Sequence, residues 1–141
     1  MRVVVDTNVL VSGLISSRGS PARIVEAILD QRIVPVFSKE TFSELRVVLG
    51  RPKFKRYFTK SGLKVRAVLA NFAAVGELVE PRSVRHKIRD PKDRPFLEVA
   101  AVLPPPEFIV TGDKDFENGI YSGVPVLSPA VFVRTGLGEN R

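Results

Sequence analysis

Arg2-Val3-Val4-Val5-Asp6-Thr7-Asn8-Val9-Leu10 opens the chain with three β-branched residues in a row, halted by an acid and two polar residues. A half-exposed strand would alternate apolar and polar side chains. A short continuous apolar run instead suits a strand covered on both faces. Four further runs share this character: Ile33–Phe37, Glu77–Glu80, Phe108–Thr111 and Val124–Leu127. Helical patterns lie between them. Ser20-Pro21 is an N-cap with proline at the first helical position, opening Ala22–Leu29. Ser38 opens Lys39–Leu49, which Gly50 and Pro52 end. Ser61 is placed to cap Leu63–Val75, and Phe96–Leu103 carries a fourth stripe before Pro104-Pro105-Pro106. The stretch from Lys53 to Ser61 reads as a short helix or loop between helices. Strands alternating with helices predict parallel β-α-β units in a three-layer α/β/α domain.

At 141 residues the chain suits one domain, here expected over 1–135, with a frayed tail from Gly136 to Arg141. Its 44% hydrophobic content is enough for a full core and excludes intrinsic disorder. The absence of cysteine excludes disulfide scaffolds and thiolate metal sites, and a single histidine, His86, excludes multi-histidine zinc centres. His86 itself reads as an exposed residue of a basic loop. No stretch approaches the roughly 20 apolar residues of a membrane span, and Asp6 interrupts any signal-peptide core, so a cytoplasmic protein without membrane association is expected. Lys+Arg 22 against Asp+Glu 15 gives +7, which favours a polyanionic partner.

In an open parallel sheet, ligands bind beyond the carboxyl ends of the strands, beside the topological switch point. Asp6 ends the first strand, and Asp113 follows the fourth in Thr111-Gly112-Asp113-Lys114-Asp115. Glu44 stands one turn before Val48, so it shares that helix's core-facing side. Asp93 stands one turn before Phe96, where Pro95 fixes the helix start. Each acid alone has a structural reading: Asp6 as a turn or cap, Glu44 as a solvated helix residue, Asp93 as a first-turn acid, Asp113 and Asp115 as turn formers. Together they crowd one edge, and crowded carboxylates repel unless cations or protons neutralise them. Oxygen-only ligands select a hard divalent ion, Mg²⁺ or Mn²⁺, which activates water and stabilises the leaving oxygen in phosphodiester cleavage.

The opening through Leu10, the Glu44-Leu45 pair, Asp93-Arg94-Pro95-Phe96-Leu97-Glu98-Val99-Ala100 and Ile109-Val110-Thr111-Gly112-Asp113-Lys114-Asp115-Phe116 resemble, in order and spacing, the PIN-domain ribonucleases. The likeness is greatest to PIN proteins classed as toxins of toxin–antitoxin pairs. This resemblance implies a doubly wound sheet of five parallel strands in order 3-2-1-4-5. It also implies a Mg²⁺- or Mn²⁺-dependent endoribonuclease that cleaves single-stranded RNA. Asp6, Glu44, Asp93 and Asp113 match the family's acidic quartet, Thr7, Asn8 and Thr111 its supporting polar residues, and Asp115 an auxiliary acid at the metal.

From Leu45 to Gly76 there is no acid, while Arg51, Lys53, Lys55, Arg56, Lys60, Lys64 and Arg66 are positive, with Phe54, Tyr57 and Phe58 between them. A second basic cluster, Arg82 to Arg94, includes Arg89 and leads to Asp93. A solvated face normally mixes signs, so the charges point to nucleic acid, with Arg51, Lys53, Lys55, Arg56, Arg89 and Arg94 the expected RNA contacts. The i, i+4 spacing of Phe54 and Phe58 is a core habit. Besides RNA, the expected partners are a small antitoxin protein and a second copy of the chain. Two other functions compete. A receiver-like signalling domain would bring adjacent acids after strand one and a lysine ending strand five, where Thr7-Asn8 and Leu127-Ser128 stand here. A nuclease-inactive RNA-binding module would be expected to lose one of the four acids, and all are present.

Overall fold

The computed structural model describes residues 1–83, 94–113 and 120–138. Three strands form its centre: β1 (Arg2–Val5), β2 (Val34–Phe37) and β4 (Phe108–Val110), with the two-residue β3 (Glu77–Leu78) beyond β2. The sheet order is β3-β2-β1-β4-β6-β5, with β6 at Val124–Leu127 and β5 at Ile120–Tyr121. All pairings are parallel except β5 with β6. The five predicted strands therefore lie in the expected order 3-2-1-4-5. The sixth, β5, is an addition at the edge. It folds back on β6 through Ser122 and Gly123, whose φ values of 53° and 79° suit the tight hairpin turn that matches strand twist.

The apolar run of β1 is explained by its two covered faces. Val3 and Val5 enter one core, with Leu10, Ile24, Ile28, Leu45, Phe72 and Phe132. Val4 points the other way, into a smaller core with Phe96, Leu97, Val99 and Ala100 of α6 (Arg94–Ala100). At about 25 cal/mol per Å² of apolar surface, such full burial contributes roughly 1.5–3 kcal/mol for each valine.

The larger core is roofed by α1 (Thr7–Ile15), α2 (Ser20–Leu29), α3 (Lys39–Leu49), α4 (Pro52–Ser61) and α5 (Val65–Val75). Three local expectations are corrected, and one open alternative is settled. Helix α2 begins at Ser20 itself, with Gly19 at φ 93° as its N-cap, so Ser20 is the first helical residue and makes no cap hydrogen bond. The Lys53–Ser61 stretch is a helix, opened by Pro52 in its first turn. Ser61 closes that helix before the left-handed Gly62, and its hydroxyl donates to the Phe58 carbonyl instead of capping α5, which starts at Val65 after Lys64. Helix α6 ends at Ala100, three residues earlier than its stripe suggested.

Ser38 does cap α3. Its Oγ accepts from the Thr41 N–H at 3.1 Å, and Thr41 Oγ1 accepts from the Ser38 N–H at 2.9 Å. After β6, a short α7 (Pro129–Val131) passes into a wider turn over Phe132–Gly136 that buries Phe132 against the sheet. Phe58 is buried and Phe54 packs partly against the same core, as their spacing suggested, while Tyr57 is exposed.

Candidate active site

The carboxyl ends of the central parallel strands share one edge. Val5 pairs with Val110, so Asp6 and Thr111 are the first residues beyond adjacent strands. Here the topology switches: from β1 the chain crosses to β2 on one side, and β4 joins it on the other. The Asp6 N–H still donates to the Val110 carbonyl at 2.9 Å, and the Asp6 carbonyl accepts from Val9 and Leu10, the first hydrogen bonds of α1. Asp6 is thus clamped between a strand end and a helix start. Its side chain is not spent on capping that helix.

Instead its Oδ2 accepts a hydrogen bond of 2.9 Å from Thr111 Oγ1. The same hydroxyl oxygen accepts from the Asp113 N–H at 3.0 Å, fixing the turn that carries Asp113. A parallel arrangement serves Glu44. Thr7 Oγ1 donates to Glu44 Oε2 at 3.1 Å, from the first turn of α1 across to α3. Both threonines are buried, Thr7 at 3% and Thr111 at 4% exposure. Two hydroxyls that would be costly to bury unpaired are therefore spent on orienting carboxylates.

Both carboxyl groups titrate above the ordinary range. For Asp6, burial is the main cause and the charge of Asp113 adds to it; the Thr111 hydroxyl and the nearby Asn8 and Thr7 backbone N–H groups pull the other way. For Glu44, burial again comes first. Asp6 and Glu40 raise it further, while the Thr7 hydroxyl and Arg51 lower it. Each of Asp113, Asp6 and Glu44 thus feels, or is felt by, the next. Upward shifts from burial plus neighbouring like charge, at a cleft, are a mark of functional sites.

Asp6, Asn8, Val9, Ser12, Gly112 and Asp113, with Pro21 and Pro129, line an open cleft of about 370 Å³. Ser12 is the cleft residue the sequence reading missed; its position four residues after Asn8, hence on the same helix face, was the available signal. Of the expected site residues, the structure brings together Asp6, Thr7, Glu44, Thr111 and Asp113, with Asn8 beside them. Arg51, Lys53, Lys55 and Arg56 are exposed on α4 and its entry, and Arg94 opens α6. Asp93, Asp115, Arg89 and His86 lie outside the described residues. Among the described residues no three acids are close enough to hold a metal ion by themselves.

The chain is thus a doubly wound α/β domain with oriented, half-buried carboxylates at its topological switch point. Its family follows from comparison with known proteins: residues 2–115 match the PIN domain, and the chain belongs to that family. PIN domains are generally nucleases and typically use divalent metal ions, which supports a nuclease-type hydrolase here. A relative, the uncharacterized protein MJ1680 of Methanocaldococcus jannaschii, is 31% identical over 115 residues, covering 82% of this chain and 72% of that protein. No solved structure matches the chain. No helix among the described residues is long and apolar enough to cross a membrane.

Proposed function

We propose that this chain is a Mg²⁺- or Mn²⁺-dependent endoribonuclease acting on single-stranded RNA at the edge formed by Asp6, Glu44 and Asp113, with Asp93 completing the acidic set. The observation that carries the proposal is the pair of threonine-oriented carboxylates, both pushed above their ordinary titration range, at the topological switch point. A protein gains nothing in stability from gathering such groups, so their assembly needs a ligand that repays it.

The donor set fits a hard cation: it is oxygen-only, and each threonine takes one oxygen of its carboxylate, Oδ2 of Asp6 and Oε2 of Glu44. Asp6, Glu44, Asp93 and Asp113 would hold the ion, with Asp115 in support. When bound, it would supply positive charge against the charge that develops around phosphorus. The protein's own part is orientation. Thr111 fixes Asp6 and the Asp113 turn together, Thr7 fixes Glu44, and both hydroxyls keep the carboxylates in one rotamer. Arg51, Lys53, Lys55 and Arg56, with Arg89 and Arg94, would hold the sugar-phosphate backbone, in keeping with the acid-free basic segment they begin. The cellular role proposed is that of a cytoplasmic toxin held in check by a small antitoxin protein, with a homodimer as its assembly.

The decisive experiment incubates purified chain with generic single-stranded RNA and Mn²⁺, against EDTA and against Asp6→Asn. Cleavage with Mn²⁺ alone, lost in the variant, supports the proposal. Equal cleavage by the variant, or none by the wild type at any metal concentration, overturns it. For the toxin role, expression should arrest growth in a host lacking the antitoxin and Asp6→Asn should not.

A further inference from the structure

A second hollow, of about 360 Å³, lies where the end of α3, the length of α4 and the start of α5 meet. Its floor is hydrocarbon: Leu49 and Phe58 are buried there, and Val65 closes one side. Leu63 stands on its wall with 44% of its surface exposed. Around the rim are Arg51, Lys55 and Lys64, all exposed. Among the described residues no carboxylate lines it, and none occurs in the chain between Leu45 and Gly76.

A hollow with an apolar floor, whose charged lining among the described residues is entirely cationic, is complementary to a ligand with an apolar face and a negative end. An unpaired nucleotide has both, since its base is flat with a poorly hydrated face and its phosphate is anionic. The volume lies in the range of small-ligand sites. The position is also suggestive. Leu49 follows Glu44 by five residues on one helix, about 7.5 Å along its axis. Arg51 lines the hollow two residues beyond the end of the helix that carries Glu44.

We infer that this hollow is a base-binding subsite: it seats one unpaired nucleobase against Leu49, Phe58 and Leu63, while Arg51, Lys55 and Lys64 hold the adjoining phosphate. The inference rests on the proposal that the chain cuts single-stranded RNA, and it adds a location where one base beside the cut is gripped. Such a grip favours unpaired RNA, because a base held in a duplex cannot be turned into the hollow.

The test has two arms. In EDTA, where no cleavage occurs, adenosine 5′-monophosphate, ribose 5-phosphate and inorganic phosphate are titrated while methyl and amide NMR signals are followed. Adenosine 5′-monophosphate should shift the methyl signals of Leu49, Leu63 and Val65. The two probes without a base should bind roughly tenfold more weakly and leave those methyls unmoved. Leu63→Ser, at an exposed position between helices, and Thr59→Trp, which fills the mouth, should each weaken the nucleotide roughly tenfold. Equal binding of all three probes, nucleotide shifts elsewhere, or concentration-dependent shifts of the same methyls through self-association would each overturn the subsite.

The second arm measures RNA cleavage with Mn²⁺, where both variants should raise KM with little change in kcat. A protein that cleaves RNA with unchanged KM in both variants loses the subsite but keeps its nuclease assignment. One that binds the nucleotide in the hollow yet cleaves no RNA keeps the subsite and loses the nuclease assignment.

Discussion

Thr111→Val is the sharpest perturbation of the site, because it changes almost no volume while removing two hydrogen bonds. The hydroxyl donates to Asp6 Oδ2 at 2.9 Å and accepts the Asp113 N–H at 3.0 Å. A hydrogen bond to a charged group is worth about 1.5–3 kcal/mol, and the lower half applies where the group is only partly buried. The Asp113 N–H, which loses the Thr111 oxygen in the variant, adds a few tenths because water can take that oxygen's place near the surface. The expected loss is therefore about 2 kcal/mol at neutral pH, or roughly 4–8 °C in Tm for a chain of this size. The pH dependence gives the stricter test. The Asp6 carboxyl already titrates above its unfolded value, and the Thr111 hydroxyl is the strongest of the contacts that hold it down. A group raised in the folded state binds more protons there than in the unfolded chain, so its ionised form costs stability above the folded pKa. That cost is relieved as pH falls through the folded pKa towards the ordinary aspartate value of 3.8. Losing Thr111 enlarges the cost, so the stability gap between variant and wild type should be widest at neutral pH and narrow on acidification. Urea unfolding in EDTA at several pH values measures it. A gap that is absent, constant or wider in acid would refute the account of this hydroxyl. Thr111→Ser, which keeps the hydroxyl, should restore the pH profile while losing only the packing of one methyl.

Other substitutions probe different parts of the same argument. Asp6→Asn should abolish Mn²⁺-dependent cleavage while leaving the metal-free protein at least as stable as wild type, since it relieves repulsion with Asp113 and Glu44; thermal melts in EDTA beside the RNA assay check both halves. Replacing Lys53, Lys55 and Arg56 together by alanine should lower the slope of log affinity against log salt by about 2 for single-stranded RNA, and an unchanged slope would move the backbone contacts off α4. Gly13→Ala should destabilise by roughly 1–3 kcal/mol, because a Cβ there would come within 2.4 Å of the Pro21 carbonyl oxygen and 2.5 Å of Val25 Cγ2, where α1 crosses α2. A melt within a degree of wild type would mean that the two helices part readily.

The strands were legible because burial on two faces leaves a plain mark: Val3, Val4 and Val5 must all be apolar when neighbours wait on both sides. Helix α1 went unread, since Thr7, Val9, Val11 and Gly13 are poor helix formers; packing against α2 and α3 overrides that preference. Strand β5 escaped because two residues carry no periodicity, although Ser122-Gly123 between Tyr121 and Val124 is a hairpin signal. At the site, the identities of the acids could be read from strand ends and helix phase. Their couplings could not, because the Thr7–Glu44 and Thr111–Asp6 bonds span 37 and 105 residues. Sequence order says only that a threonine closely follows β1 and β4; the paired register of those strands puts Thr111 beside Asp6.

That register also explains how a small domain can maintain such an edge. The repulsion among Asp113, Asp6 and Glu44 would open a loosely held site, yet each acid stands on backbone that cannot easily yield. Asp6 is tied to β4 by its N–H and to α1 by its carbonyl, directly after three valines locked in two separate cores. Glu44 precedes Leu45, which is fully buried, on a helix whose start is fixed by the Ser38–Thr41 capping box. On the proposed function, rigidity here would cost stability in the metal-free protein and return it on cation binding, because ion binding and carboxylate repulsion would act through the same oxygens. Metal should accordingly raise the melting temperature in proportion to the logarithm of its concentration. The rise should vanish in Asp6→Asn, and a variant that kept it would place the ion somewhere other than this edge.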